Sequence, residues 1–310
     1  MTAFTPSRTG QIAQTGDATA LFLKVFGGEV LTSFEIATVM SDKVIMRTIS
    51  SGKSAQFPVI GRTTAAIHTP GADLLGNGLN ANEKTITIDG LTVAHASLAS
   101  IDEAMNHYDV RSIYSTELGR ALARAMDSYL QQCVLLAARA SANLADASYP
   151  GGTVQTNANY STVGATLAAG IYDAAKNLDV ANNPSEDRFA SLRPAQYYLL
   201  AQTAQVLDSN IGGRGSYAEG NVPMIGGIQL VKNNLLPNTN VNSGVSTYQG
   251  NFSTTSAAVW QKGAVGCVKL MDMATEAEWL IKNQVWLMVA KYATGYGILR
   301  PESAVELKTS

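Results

Sequence analysis

Asp102-Glu103-Ala104-Met105-Asn106-His107-Tyr108-Asp109-Val110-Arg111 is the stretch that decides the fold, because it opens a helix that meets no proline before Pro150. Ser100-Ile101-Asp102-Glu103 matches a capping box, in which the Ser side chain accepts from a backbone N–H and the Glu three residues on reaches back. Asp102 and Glu103 also sit where the positive end of the helix dipole favours carboxylates. Positions 101, 105, 108, 112, 115, 119, 122, 126, 129, 133, 136 and 140 follow alternating steps of four and three. They read Ile, Met, Tyr, Ser, Ser, Gly, Leu, Met, Tyr, Cys, Leu, Ala, a stripe apolar at both ends and small in the middle. A helix of about 40 residues is ~60 Å long at 1.5 Å per residue. That is about twice the diameter of a small domain, so the sequence predicts an elongated molecule. A coiled coil is the rival reading of the stripe. Its Ser-Ser-Gly centre speaks against that, since small residues suit close-packed sheet or backbone better than a partner helix's knobs.

Upstream of the helix, residues 43–99 read as extended. Val44, Ile45 and Ile49 flank Arg47 and Thr48, and Thr85-Ile86-Thr87-Ile88 alternates polar and apolar at period two. Between them lie Gly61, Pro70-Gly71, Gly76-Asn77-Gly78 and Asn80-Ala81-Asn82, which is turn chemistry at the tip of a long hairpin. Few large apolar residues line this arm. It has no core of its own and must lie on something else. Residues 1–19 are rich in Thr, Ser, Gln and Gly and read as a flexible arm ordered by a partner. Leu21-Phe22-Leu23-Lys24-Val25-Phe26 then forms a short apolar patch, which Gly27-Gly28 interrupts.

Downstream, residues 141–257 are rich in Asn, Gly, Thr and Ser. Helices are predicted at 161–177 and at 194–208, where Pro194 suits the first turn. Gly212-Gly213-Arg214-Gly215 marks a loop, and a strand is predicted from 225 to 231. This reads as a second α+β lobe inserted into the first. Strands at 257–260 and 265–270 follow, then an apolar segment from 285 to 292. The pattern as a whole is α+β.

Composition narrows the function. Of 310 residues, 46% are hydrophobic and 15% charged, against a usual charged share of about 25%. So little charge suggests that much of the surface is covered by neighbours. The net charge of −2 comes with no block of Lys or Arg, so nothing marks a nucleic-acid-reading surface. Cys133 and Cys267 stand in apolar contexts and form no disulfide framework, which fits a reducing setting. His68, His95 and His107 show no ligand spacing, and no metal or other cofactor is expected. Residues 1–16 lack the apolar stretch of a signal peptide, and no run of about 18 apolar residues predicts a membrane span.

Four motifs tempt toward catalysis. Gly52-Lys53-Ser54 looks like the end of a phosphate-binding loop, but that loop needs a glycine where Arg47 stands and a helix where Pro58 follows. A turn with Lys53 exposed is the plainer reading; a nucleotide-binding enzyme is the alternative. Gly213-Arg214-Gly215-Ser216-Tyr217-Ala218 is a loose dinucleotide fingerprint with no apolar strand ahead of it. Asp102, Glu103 and Asp109 near His107 are explained by capping and by pairing with Arg111. Trp260, Trp279 and Trp286 read as packing or interface residues. No enzyme activity is expected, and a non-shell surface or fibre protein is a third reading.

Several of these segments resemble one family, the major capsid proteins of short-tailed, double-stranded-DNA bacteriophages of the podovirus (autographivirus) type. The matching words are Leu21-Phe22-Leu23-Lys24-Val25-Phe26-Gly27-Gly28-Glu29-Val30-Leu31, residues 50–71, Thr85-Ile86-Thr87-Ile88-Asp89-Gly90-Leu91 and residues 102–123. To these add Val265-Gly266-Cys267-Val268-Lys269-Leu270 and residues 290–302, ending Arg300-Pro301-Glu302. The lobe at 141–257 and the hairpin tip at 72–82 match weakly, and His95-Ala96-Ser97 stands where relatives look bulkier. The resemblance implies the Hong Kong 97-type capsid fold. Its parts map to an N-terminal arm (1–42), an extended loop (43–99) and a peripheral domain on a spine helix (100–146 and 258–302). An axial domain (147–257) and a C-terminal tail (303–310) complete the map. It also implies self-assembly into pentamers and hexamers of an icosahedral head in the virion, assembled in the host cytoplasm. That head encloses double-stranded DNA without reading its sequence. Scaffolding, portal and decoration proteins are the implied partners, and no membrane is. Lys53, Phe57, Arg62, Leu74, Leu75, Arg214 and Tyr217 are the expected inter-subunit contacts. Some shells of this fold weld Lys to Asn; Lys53 and Lys84 lie in the hairpin without an assignable acid, so a non-covalent shell is expected.

Overall fold

A computed structural model describes residues 39–63, 65–71, 73, 76, 78–99, 101, 110–144, 149–203 and 220–310. Among these, the chain forms two compact units. One is built from Gly90–Met126 and Leu270–Thr294, the other from Val39–Asp89, Asp127–Lys269 and Gly295–Ser310.

The first unit pairs strand β4 (Gly90–Ala99) antiparallel with strand β13 (Val285–Ile298), from Thr294 opposite Gly90 to Val285 opposite Ala99. Period two sends Ala94, Ala96 and Leu98 of β4 to the same face as Met288, Ala290 and Tyr292 of β13. Leu118 and Leu122, one helical turn apart on α1 (Val110–Arg139), close that core. Met126 and Trp286 flank it. The Trp286 ring meets that of Trp279, as the packing reading of these residues expected, with centroids 5.3 Å apart. Trp279 belongs to β12 (Val265–Leu280).

The second unit is organised by a six-stranded mixed sheet, ordered β5-β14-β11-β6-β8-β7. Its strands are β5 (Thr153–Thr156), β6 (Arg188–Leu192), β7 (Met224–Ile225), β8 (Ile228–Lys232), β11 (Thr255–Gln261) and β14 (Ala304–Lys308). A short ribbon, β9 (Asn240–Val241) with β10 (Gly250–Asn251), stands beside it in sequence. Ala190, Leu192, Ala257, Val259, Val305 and Leu307 point to one face, where α2 (Gly164–Val180) supplies Leu167, Ile171 and Leu178. The short helix α3 (Pro194–Ala201) adds Tyr197 and Leu200 there, with Pro194 in its first turn as predicted. The alternate residues Ser191 and Glu306 point the other way and are met by Gln131 and Arg139 of α1. Trp260, on that same side, packs on Phe189 and donates its indole N–H to the Lys43 carbonyl at 3.0 Å. With both faces covered, every residue of β6 is buried.

Four expectations need correction. The stripe on the long helix is only partly right: Leu122 and Cys133 are buried, but so are Leu118, Leu130, Val134 and Ala137 outside it. A strict three-four alternation has period 3.5, and a straight helix drifts ~20° per heptad against it. The second half of α1 is also enclosed on most sides, which no single stripe describes. The 303–310 tail is instead a buried strand, β14, between β11 and β5. The boundary placed between 257 and 258 falls inside β11, all but one of whose residues are buried. The arm placed at 1–42 ends too late, because Met40 is fully buried. Ser100, Asp102 and Glu103 of the capping box, with His107 and Asp109, lie outside the described residues.

Met40 is held through Asp127 of α1. Asp127 accepts from the Val39 N–H at 2.9 Å and the Met40 N–H at 3.4 Å. Burial holds its pKa above the ordinary 3.8, opposed by those two N–H groups and by Lys43. A carboxyl whose folded pKa is raised contributes stability that is fully present below the unfolded value and lost as pH rises through the folded one. Asp127→Asn removes that titration. The stability difference between variant and wild type, read from urea midpoints of unassembled subunit from acid to neutral pH, should move in favour of Asn as pH rises across that window. A difference independent of pH would show that Asp127 ionises as freely in the fold as in the unfolded chain.

Candidate assembly surface

The hairpin predicted from turn chemistry is β2 (Ser54–Ile60) paired antiparallel with β3 (Ala81–Thr87), from Ser54 opposite Thr87 to Ile60 opposite Ala81. Its last rung at the base is the Ile88 N–H to the Lys53 carbonyl, 2.8 Å. Ahead of it, Ile45–Thr48 is a separate strand, β1, parallel to the start of β12. A strand, not a helix, follows Gly52-Lys53-Ser54, so the phosphate-loop geometry is missing and the nucleotide-binding alternative falls.

The hairpin needs something else to lie on, and the body of its own chain supplies it. Ala55 and Ile86 bury one face against Val268 and Leu299, with Ile49, Phe57 and Ile88 packed around them. Val59 packs with Leu144 and Tyr149. These side chains are few and mostly small, so the composition did show a limb with no interior; the body supplies the missing partners. Polar ties continue outward. Asn82 Nδ2 donates to the Asn143 carbonyl at 2.7 Å, and the Asn143 side chain donates to the Leu299 carbonyl. At the inner end the Tyr248 hydroxyl donates to Asp89 and accepts from the Tyr296 N–H at 3.1 Å. The rings of Tyr129, Tyr248 and Tyr296 cluster there, Tyr129 stacked on Tyr296 and Tyr248 edge-on to Tyr296. Burial raises the pKa of both Asp89 and Tyr248, and their hydrogen bond acts against the rise at Asp89.

The expected contact residues divide accordingly. Lys53 is exposed at the hairpin's base. Phe57 is half-buried against the core and carries the Arg47 guanidinium 5.6 Å over its ring. Arg62 is exposed yet engaged within its own chain: Nη2 donates to the Asn182 carbonyl at 3.0 Å and the Ala181 carbonyl at 3.5 Å. Its guanidinium also lies 5.1 Å from the Tyr149 ring centroid. Leu74, Leu75, Arg214 and Tyr217 lie outside the described residues.

Past Arg62, every described residue up to Asn80 is exposed. Ile67 is 100% and Leu79 53% accessible, with Ile60 beside them at 57%. Sequence reasoning passed over these residues, although isolated aliphatics inside a turn-rich stretch were the available signal. A second apolar surface is the outward face of β4, where Leu91 and Val93 are exposed. Cys133 and Cys267 are free and buried, and burial raises both thiols, Cys267 to about 12, so neither is a nucleophile at neutral pH. Among the described residues, no three His, Cys, Asp or Glu side chains gather as a metal site.

A helix enclosed by a sheet on one side, a pinned hairpin with a bare apolar tip and a second mixed-sheet unit together define a subunit of a shell. Solved structures of this shape are phage capsid chains of the Hong Kong 97-type fold. The capsid structure of cyanophage P-SCSP1u matches with a TM-score of 0.83 and 41% identity over 99% of both chains. The mature capsid of bacteriophage PhiM1 matches at 0.75 and 19% identity, over 98% of this chain and 96% of that one. The major capsid protein of Escherichia phage T7 is 32% identical over 94% of this chain and 93% of its own length. That of Enterobacteria phage T3 is 33% identical, over 95% and 93%. Residues 56–308 match the model of the Gp10A-like major capsid proteins, and the chain belongs to that family.

Proposed function

We propose that this structural head protein assembles into pentamers and hexamers that close as an icosahedral shell around double-stranded DNA. Rings of identical subunits need heterologous contacts that close on themselves. The observation that supports this reading best is the hairpin tip, whose Ile67 and Leu79 are apolar and exposed and lie, among the described residues, beyond the Arg62 tie to Asn182. Large apolar side chains stranded on a projecting limb mark an interaction site. Lys53 at the base and Phe57, Leu74 and Leu75 along the limb are proposed contacts to neighbours, with Arg214 and Tyr217 serving the same role in the inserted lobe. The arm is proposed to drape over adjacent subunits. Scaffolding, portal and decoration proteins are proposed partners during assembly in the host cytoplasm, and the shell is held without covalent welds.

Electron microscopy of the purified protein tests the proposal: closed particles support it, whereas filaments or compact monomers speak for a fibre or binding protein. Removal of residues 1–38 probes the arm. The cut spares Val39 and Met40, which satisfy Asp127. Folded subunits that no longer close into shells are expected, and shells of normal size and yield would remove the arm from the mechanism.

A further inference from the structure

The hairpin's base and its outermost tie are held in different ways. At its base the chain enters past Gly52, with φ +105°, and leaves through Gly90, with φ +137°. An added Cβ at either would meet nothing within 4 Å. Glycine is therefore needed at both places for the backbone angle and not for clearance. Two left-handed glycines thus flank the rung from the Ile88 N–H to the Lys53 carbonyl, while Gly90 also pairs with Thr294 and the Ala55–Ile86 core holds the base in place. At the outer end Val59 packs on Tyr149, whose hydroxyl donates to the Ile60 carbonyl at 3.4 Å, and Asn82 holds the Asn143 carbonyl; beyond these the outermost tie among the described residues is a long cation. Arg62 reaches the Ala181 and Asn182 carbonyls just past the last turn of α2, where helix carbonyls lack partners and the dipole is negative. Asn182 itself is left-handed, with φ 53°, so its carbonyl is presented outward by the turn that ends the helix. The Tyr149 ring gives the guanidinium a π face at 5.1 Å, and the same Tyr149 packs on Val59. Glu302, a buried carboxyl, feels the Arg62 charge as well. A guanidinium that is exposed, at the outermost tie of the limb, and holding only the rim of another element is readily exchanged for another partner.

We propose that Arg62 is a strap that holds the hairpin's outer end on the subunit's own body, and that its release frees the hairpin to engage a second copy. This rests on the shell reading. In the free subunit the strap keeps Ile67 and Leu79 in one pose and slows premature association. The expected contact role of Arg62 and the strap role predict opposite signs. The test is Arg62→Ala in the full chain, measured twice. Hydrogen exchange of dissociated subunit reads the hairpin directly. Exchange at 54–62 and 80–87 is expected to rise about tenfold, the factor corresponding to about 1.4 kcal/mol. Light scattering then reads shell formation, which should begin at lower protein concentration than in wild type. Arg62→Lys keeps the charge but loses the planar fork and stack, and should fall between. Unchanged exchange, or a faster-exchanging hairpin with unchanged or slower assembly, overturns the strap; unchanged exchange with slower assembly would instead place Arg62 against a neighbour. Wild-type protein that forms no particles would refute the shell reading while leaving the exchange measurement to decide the strap.

Discussion

Leu122→Asp should abolish folded subunit. Leu122 is 2% exposed, packed between β4 and β13 with Leu118, Met288 and Tyr292. Truncating a buried Leu costs about 2–5 kcal/mol. A carboxylate left among aliphatics without a partner adds several more or is forced to stay protonated. Against a typical total of about 5–15 kcal/mol, the sum leaves little. The expected result is insoluble protein or a species without sharp unfolding, and no particles by electron microscopy. Leu122→Ala is the graded control: a soluble subunit whose urea midpoint falls by an amount equivalent to about 2–5 kcal/mol. Soluble Leu122→Asp that assembles at wild-type yield would mean the helix presents a different face to the sheet.

Arg139→Ala should be the most damaging change at a charged residue. Arg139, in the last turn of α1, makes a two-pronged pair with Glu306, 2.6 Å on each prong, and donates to the Asn251 carbonyl at 2.6 Å. Its guanidinium also sits over the Phe252 ring. Glu306 is fully buried in β14 and accepts in addition from Thr255 at 2.6 Å. Removing one partner of a buried pair costs about 3–5 kcal/mol, because the surviving charge is stranded. The partial exposure of Arg139 puts the expectation near the low end, about 3 kcal/mol, visible as a lower denaturation midpoint of the unassembled subunit. Adding Glu306→Gln should recover part of the loss, since a neutral amide needs no counter-charge. A double-mutant cycle that returns no coupling would show that the pair contributes nothing beyond its separate contacts.

The legible parts of this protein share a property: their signals are local. Pro194 opening α3, Thr85-Ile86-Thr87-Ile88 alternating along β3 and its sequel, and the Gly-Pro-Asn cluster at the hairpin tip all depend on residues a few positions apart. So does the long helix, whose existence needed only an unbroken run without proline. The illegible parts depend on residues far apart in sequence. The family resemblance makes 303–310 a tail, and Ala304-Val305-Glu306-Leu307-Lys308 is too short a run to announce a buried strand. It is a strand because Glu306 finds Arg139, far back along the chain. Gln131, polar and fully buried, likewise makes sense only once Ser191 stands 2.8 Å away.

The candidate surface splits along the same line. That a hairpin lies within residues 43–99 was readable, since turn chemistry between two alternating runs needs no tertiary context. Its bounds were not, because β1 pairs with β12 and β4 builds a core with β13, which leaves only 54–87 as the hairpin. That the limb's inner half rests on its own body was not, because Ala55, Val59 and Ile86 are too small and too sparse to announce a partner until Val268, Leu299 and Tyr149 are placed opposite them. Arg62 looks the same in sequence whether it faces a neighbour or its own helix end. Periodicity and turn residues thus determined by themselves that this chain has a long helix and a hairpin, because backbone preference and one-sided burial act over a few residues. Which of those pieces touch, and which charges are spent inside the subunit, only the tertiary structure decided, because burial and pairing energies belong to contacts and not to single side chains.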